Sequence, residues 1–219
     1  MMRTAEPELM LREDQASAYA AADLFELNEP MVARFQACFG MRLEGTLLDL
    51  GCGAADVSIR FCRAYAGIHV VGVDGSATML AEGRRAIKTA GLESRIRLEQ
   101  RHLPDPALET GAFDAVIANS LLHHLQDPAL LWRTMALAAK PGAPILCMDL
   151  RRPAGLEAAS GMVIRYAADA RPVLQDDFFK SLCAAYTARE IRGQLDGAGL
   201  GRFQVVELGE LHVAVSGTA

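Results

Sequence analysis

The chain has 219 residues, 51% of them hydrophobic, which is enough for one domain with a full core. Its formal charge of −5 argues against a broad basic surface for nucleic acid, and its five cysteines are scattered, with no C-x-x-C and no Cys/His cluster, so neither a zinc site nor a disulfide framework is indicated and no metal is expected. The opening residues are polar and no apolar run is long enough to span a bilayer, so a soluble cytoplasmic protein with no membrane partner is expected.

Residues 12–40 read as helical with a break at Asn28-Glu29-Pro30, Pro30 fitting a first helical turn. Thr46-Leu47-Leu48-Asp49-Leu50 then reads as a strand buried on both faces, followed by Gly51-Cys52-Gly53 and the start of a helix. The glycines let the backbone turn sharply and bring its amides close to a ligand, and Asp56 is placed to accept from amides of the following helix start. That helix runs over residues 54–66 and ends at Gly67 as a C-terminal glycine. The second strand, residues 69–74, closes on Asp74, roughly twenty residues beyond the glycines, where an acidic side chain meets ribose hydroxyls in nucleotide-binding α/β folds. Ser76 is the better N-cap for the next helix, over residues 77–90, which leaves Asp74 available for ligand.

Residues 95–99 form the third strand and residues 111–119 the fourth with its lead-in; Asn119 falls at its carboxyl end, where ligands of open α/β sheets bind. Leu121-Leu122-His123-His124-Leu125-Gln126-Asp127-Pro128 follows, with Asp127 as N-cap and Pro128 at the first helical position. Adjacent histidines on a turn are expected to point apart, one serving structure; either has a reference pKa that leaves it largely neutral near pH 7 and able to act as a base. Residues 144–150 are the fifth strand, residues 151–186 interrupt the alternation, and Thr187 to Glu190 open the last helix as a capping box. Residues 203–215 alternate apolar positions around Gly209-Glu210, a closing hairpin.

A dinucleotide site wants G-x-G-x-x-G, and Asp56 stands here where its third glycine belongs. The D-x-G-C-G stretch at Asp49 resembles instead the first motif of the class I S-adenosylmethionine-dependent methyltransferases, and the second motif D-x-S-x-x-M-L (Asp74, Ser76, Met79), the F-D-x-V strand and the L-H-H-L-x-D-P stretch are similar to that family as well. The resemblance covers the chain from about Leu43 to its end and is weak in residues 151–186. It implies an α/β fold, doubly wound, with a seven-stranded mostly parallel sheet, an antiparallel C-terminal hairpin and helices on both faces. It also implies one methyltransferase domain over residues 1–219, with an N-terminal helical cap (residues 1–42) and a lid insertion (residues 151–186) over the acceptor.

The expected activity is methyl transfer from S-adenosyl-L-methionine, leaving S-adenosyl-L-homocysteine, to a small molecule by in-line displacement. The resemblance places Asp49, Gly51, Cys52 and Gly53 at the amino-acid end of that cofactor, Asp74 and Gly75 at the ribose, Met79, His102 and Leu103 at the adenine, and Asn119 by the sulfonium. His123 and His124 are the catalytic candidates; Tyr19, Asp149, Arg151 and Tyr166 are acceptor-site candidates. Many relatives carry an acid near His102; an imidazole nitrogen or the backbone of His102 and Leu103 would accept in its place. The acceptor atom stays open, as does monomer or homodimer. Two other readings stand beside this one: a non-catalytic cofactor-binding sensor or partner protein, and a nicotinamide-dependent oxidoreductase, against which the closing hairpin counts.

Overall fold

The computed structural model describes residues 1–6, 16, 19 and 25–219. Five short apolar stretches, β1 (Gly45–Leu50), β2 (Ile68–Asp74), β3 (Ile96–Gln100), β4 (Ala115–Asn119) and β5 (Pro144–Leu150), pair in parallel. The chain then closes with β6 (Gln204–Leu208) and β7 (His212–Thr218), β7 lying antiparallel between β5 and β6. The sheet order is β3-β2-β1-β4-β5-β7-β6, the doubly wound, seven-stranded arrangement with an antiparallel hairpin that the motifs imply. Order reverses at β1, which pairs with β2 on one side and β4 on the other, so a crevice opens above β1, β2 and β4.

Successive residues of a strand face opposite sides, and this splits the core in two. Leu48, Leu50, Val116 and Ile145 pack with Trp132 and Ile191 on α4 (Pro128–Ala138) and α7 (Ala188–Gly197). Leu47, Ile117, Leu146 and Met148 pack with Phe35 and Phe61 on α1 (Phe25–Phe39) and α2 (Asp56–Ala64). A third, small cluster joins Leu150 and Leu211 to Ala159, Met162 and Leu182 on α5 (Leu156–Tyr166) and α6 (Pro172–Ala184), the two helices of the 151–186 insertion. Phe178 and Phe179 pack against this cluster, so they serve the insertion's own core.

Local chemistry sets most element ends. Ser76 accepts from the Met79 amide to begin α3 (Ala77–Ala90), and Gly91 ends it at φ 68°. Asp127 accepts from the Ala129 amide ahead of Pro128, and Thr187 with Glu190 completes a capping box. Asp114 ties three pieces: its carboxylate accepts from the Thr46 amide at 2.8 Å and from Lys140 Nζ at 2.6 Å.

Three expectations are corrected. The helix at residues 25–39 has no break at Asn28-Glu29-Pro30; Pro30 lies inside α1, which gives up one amide bond while Met31, Val32 and Phe35 are buried beyond it. Residues 12–24 lie outside the described residues except Ala16 and Tyr19, both helical. Gly67 does not cap α2, which ends at Tyr65 in extended conformation, because the chain needs that extension to enter β2. Asp56 is not an N-cap; Ala55 holds that place at φ 65°, and Asp56, inside the first turn, takes Arg60 Nε at 2.8 Å.

The glycine turn is held from below by α3. A Cβ on Gly83 would meet Gly53 O and Ala54 C at 3.3 Å and Leu98 Cδ1 at 2.8 Å. Gly83→Val should therefore push α3 off the turn and destabilise by about 1–3 kcal/mol, the usual cost of overpacking. Urea unfolding of the two proteins measures it; an unchanged midpoint would mean that helix and turn are not in register as described.

Candidate active site

The strand tips build the first half of the site. Asp49 is buried on β1 opposite Gly72 of β2, and Ser58 Oγ donates to its carboxylate at 2.6 Å. Gly51 and Gly53 take left-handed conformations at φ 71° and 52°, which glycine adopts without steric cost. Asp74 at the tip of β2 accepts from Gly53 N at 2.9 Å through one oxygen and from Ser76 N at 2.7 Å through the other. The sequence leaves Asp74 uncommitted; in the fold it ties the glycine turn to the next loop, with lone pairs to spare for a ligand. Met79 is buried beneath the turn, 3.2 Å from where a Gly53 Cβ would stand. Cys52 is buried as well, which pushes its thiol far up and makes it an inert wall.

Gly75 follows Asp74 and its carbonyl accepts from Gln100 Nε2. His102 is exposed, and Leu103 is half-buried against the core. Asn119 sits at the tip of β4, and Ser120 just after it is left-handed at φ 53°. Ala55 and Ser120 are strained non-glycine residues at the two tips flanking the crevice, where functional sites concentrate such strain.

The second half lies beyond β4 and β5. A 3-10 turn, Leu122–His124, buries His123, whose Nδ1 lies 2.5 Å from Asp149 Oδ1. Burial alone disfavours both charges, but the pair outweighs it: His123 is raised and Asp149 is held below the usual carboxylate range. The two histidines do not point apart as expected. Their rings lie 4.1 Å apart, and both reach one carboxylate, Glu6, whose Oε1 is 3.3 Å from His123 Nε2 and 3.3 Å from His124 Nδ1. Burial raises the Glu6 carboxyl against the opposing pull of His123.

Glu6 is the site residue that the sequence did not single out. No local pattern marks it; it arrives because residues 1–6 lie across the insertion. Arg3 donates to the carbonyls of Ala184, His123 and Leu125 and stacks 4.2 Å over the Tyr186 ring, and Thr4 N donates to Cys183 O. Tyr19, half-buried, feels Asp56, Asp74 and Asp149, and burial together with those carboxylates pushes its phenol up to about 12. It stays protonated and able to donate a hydrogen bond.

Arg151 and Tyr166 are not brought to this cluster. Arg151 pairs with Glu207 at 2.8 Å, and Tyr166 donates to Glu210, which also holds Arg165. Their partners belong to the β6–β7 hairpin, so both residues brace the insertion against the sheet edge.

Residues 48–145 match the family described as a methyltransferase domain. With the sheet order, that match shows a methyltransferase domain on the class I methyltransferase fold. It is 30% identical over 143 residues to a demethylmenaquinone methyltransferase of Porphyromonas gingivalis, covering 65% of this chain and 58% of that protein. It is 37% identical over 135 residues to a ubiquinone biosynthesis O-methyltransferase of Bordetella bronchiseptica, covering 59% and 52%. The chain thus spans little more than half the length of these relatives. The crystal structure of a SAM-dependent methyltransferase from Aquifex aeolicus shares the fold, with a TM-score of 0.70 at 18% identity over 95% of this chain and 99% of that one. Among the described residues of this chain no helix is long and apolar enough to cross a membrane.

The crevice is acidic, which suits a sulfonium and an ammonium. Burial is the main reason that Asp49 titrates near 7, and Asp74 adds to the rise. Its folded value lies above the unfolded value of about 3.9. The neutral form therefore favours folding fully below about pH 4, and that advantage is lost as pH rises through 7. At ~1.4 kcal/mol per pKa unit the full loss is about 4 kcal/mol. Thermal melts of the cofactor-free protein between about pH 5 and pH 8 should show wild type falling more steeply than Asp49→Asn, which cannot ionise. Parallel curves would remove Asp49 from the titrating groups.

Proposed function

We propose that this chain transfers a methyl group from S-adenosylmethionine to a small organic acceptor, with quinone-type rings the first class to try. The observation that carries the reading is the placement of an acidic, glycine-lined cradle at Asp49 and Asp74 one strand away from a histidine pair, buried His123 and half-buried His124. A protein that only bound the cofactor would need the first half and not the second. The names of the menaquinone and ubiquinone relatives support the acceptor class.

The cofactor supplies a methyl carbon on a positively charged sulfur, a leaving group that departs with the bonding electron pair. The chain's own part is to hold and desolvate that carbon against the nucleophile. In this reading Asp49 and the Gly51-Cys52-Gly53 turn, whose amides are donated to Val73 O and Asp74, border the amino-acid end. Asp74 and Gly75 take the ribose, while Met79, His102 and Leu103 border the adenine and Asn119 borders the sulfonium. His123 and His124 hold the catalytic positions on the acceptor side, with Asp149 fixing the His123 ring and Tyr19 donating across the gap. The insertion, residues 151–186, and the N-terminal segment, residues 1–42, close over the acceptor.

Asp74→Ala removes an acceptor of the ribose and also frees Gly53 N, so cofactor affinity should fall by about 1.5–3 kcal/mol, the scale of a hydrogen bond to a charged group. Calorimetry with S-adenosylmethionine and S-adenosylhomocysteine reads it, and NAD serves as the competing ligand. An unchanged dissociation constant, or preferential binding of NAD, would defeat the assignment. Incubating the protein with methyl-labelled cofactor and a metabolite extract, then tracing label by mass spectrometry, identifies the acceptor; label only in macromolecules would refute a small one.

A further inference from the structure

We propose that Glu6, His123 and His124 form a binding site for a divalent first-row transition ion of the zinc and cobalt type, seated beside the methyl acceptor. The proposal rests on the acceptor-side reading above for its location, and on geometry alone for its existence.

The three ligand atoms, one from each residue, lie within 4.8 Å of one another. Glu6 Oε1 stands 3.3 Å from His123 Nε2 and 3.3 Å from His124 Nδ1. An ion bound at about 2.0–2.1 Å in tetrahedral geometry has ligand-to-ligand edges of about 3.3–3.4 Å. Two of the three edges therefore already have the length such an ion needs.

The shell behind the ligands is also built. His123 is buried, and its second nitrogen, Nδ1, is engaged by the Asp149 carboxylate at 2.5 Å. A proton on Nδ1 shared with Asp149 leaves the Nε2 lone pair facing Glu6. This carboxylate–histidine arrangement orients and strengthens metal-binding imidazoles. Ser181 Oγ donates to both oxygens of Glu6, at 3.1 and 3.3 Å, and holds the carboxylate in place. Side-chain exposure is 3% for His123, 10% for Glu6 and 25% for His124, so the opening is on the His124 side. Three protein ligands with one open direction is the arrangement of a reactive rather than a closed site. Two imidazoles and one carboxylate suit zinc, cobalt, manganese or iron; magnesium prefers an all-oxygen shell.

The N-terminal strap assembles the site. The Met1 ammonium donates to Ala154 O at 2.9 Å, and Arg3 and Thr4 bond to the carbonyls of Ala184, His123, Leu125 and Cys183. Arg3 thus fastens Glu6 to the same turn that carries the histidines. An ion there would accept the lone pair of an acceptor oxygen at its open position and stabilise the deprotonated form, the proton leaving to solvent.

The test uses untagged, full-length protein stripped with chelator and titrated by calorimetry with Zn2+, Co2+ and Mg2+ separately, with Co2+ visible absorption as a second readout. One Zn2+ or Co2+ per chain is expected, with Mg2+ failing to compete. Glu6→Gln and His124→Ala should each weaken binding by about 10-fold or more, and Ser181→Ala, which leaves the ligands intact, by a smaller factor. Circular dichroism of each variant checks that it is folded. No stoichiometric Zn2+ or Co2+ binding by wild type, or binding unchanged in both Glu6→Gln and His124→Ala, overturns the site and leaves the cluster a set of ion pairs. Cofactor affinity is measured on the same samples. Cofactor binding without metal binding overturns the ion alone, whereas metal binding without cofactor binding overturns the function reading and leaves the ion standing.

Discussion

The carboxylate of Asp74 is the constraint on which the crevice depends. It takes one amide from the glycine turn after β1 and one from the loop after β2, and so adds to the Gly51 and Cys52 amides, which already donate to Val73 O, in fixing the two strand tips to each other. A buried amide left without an acceptor is costly, and a carboxylate is a strong acceptor for it. Once Gly53 is held there, Met79 has a ceiling and Gly83 must stay bare, because α3 presses directly on Gly53 O and the Ala54 carbonyl carbon. One side chain thus sets the loop, the helix beneath it and the mouth of the crevice.

The same crevice gathers three carboxylates. Asp49, Asp74 and Asp149 all sit at or near the carboxyl ends of β1, β2 and β5, and each meets a desolvation cost. They meet it differently. Asp74 is partly repaid by backbone amides, though burial still raises its carboxyl; Asp149 is repaid by His123; Asp49 has a single hydroxyl, and burial takes it up to about 7. A cationic ligand would complete what Ser58 leaves undone. An under-satisfied buried carboxylate in a cleft is the mark of a site whose last partner comes from outside.

The fold was legible in the sequence because its signals are local. Apolar runs of strand length, N-caps at Ser76, Asp127 and Thr187, and the left-handed glycine at Gly91 each act within a turn or two. The cradle was legible for the same reason, since Asp49 and the glycines are adjacent in the chain and Asp74 follows at the spacing a β–α–β unit imposes. Pro30 misled because its local cost is real, yet burial of Met31, Val32 and Phe35 carries the helix through it. Arg151 and Tyr166 misled because charge and aromaticity in an insertion look the same whether they face a substrate or a neighbouring hairpin. Only the positions of Glu207 and Glu210 decide, and those are set by the closing strands.

The histidine pair shows where local reasoning ends. Adjacent side chains on a 3-10 turn leave the backbone about 120° apart, yet the two rings lie 4.1 Å apart, because both turn toward one group placed outside the turn. That group comes from the first six residues, and holding such a segment in one conformation costs about 1–2 kcal/mol per residue in backbone entropy alone. The strap leaves Met2 and Ala5 exposed, so little apolar burial offsets this. It relies instead on charged groups meeting bare carbonyls, Arg3 above all, and on the flat contact of its guanidinium with Tyr186. Tyr186 in turn donates to Leu125 O, so strap, insertion and histidine turn share one set of acceptors. The ordering of the strap and the convergence of the two rings on Glu6 are therefore linked through those shared acceptors.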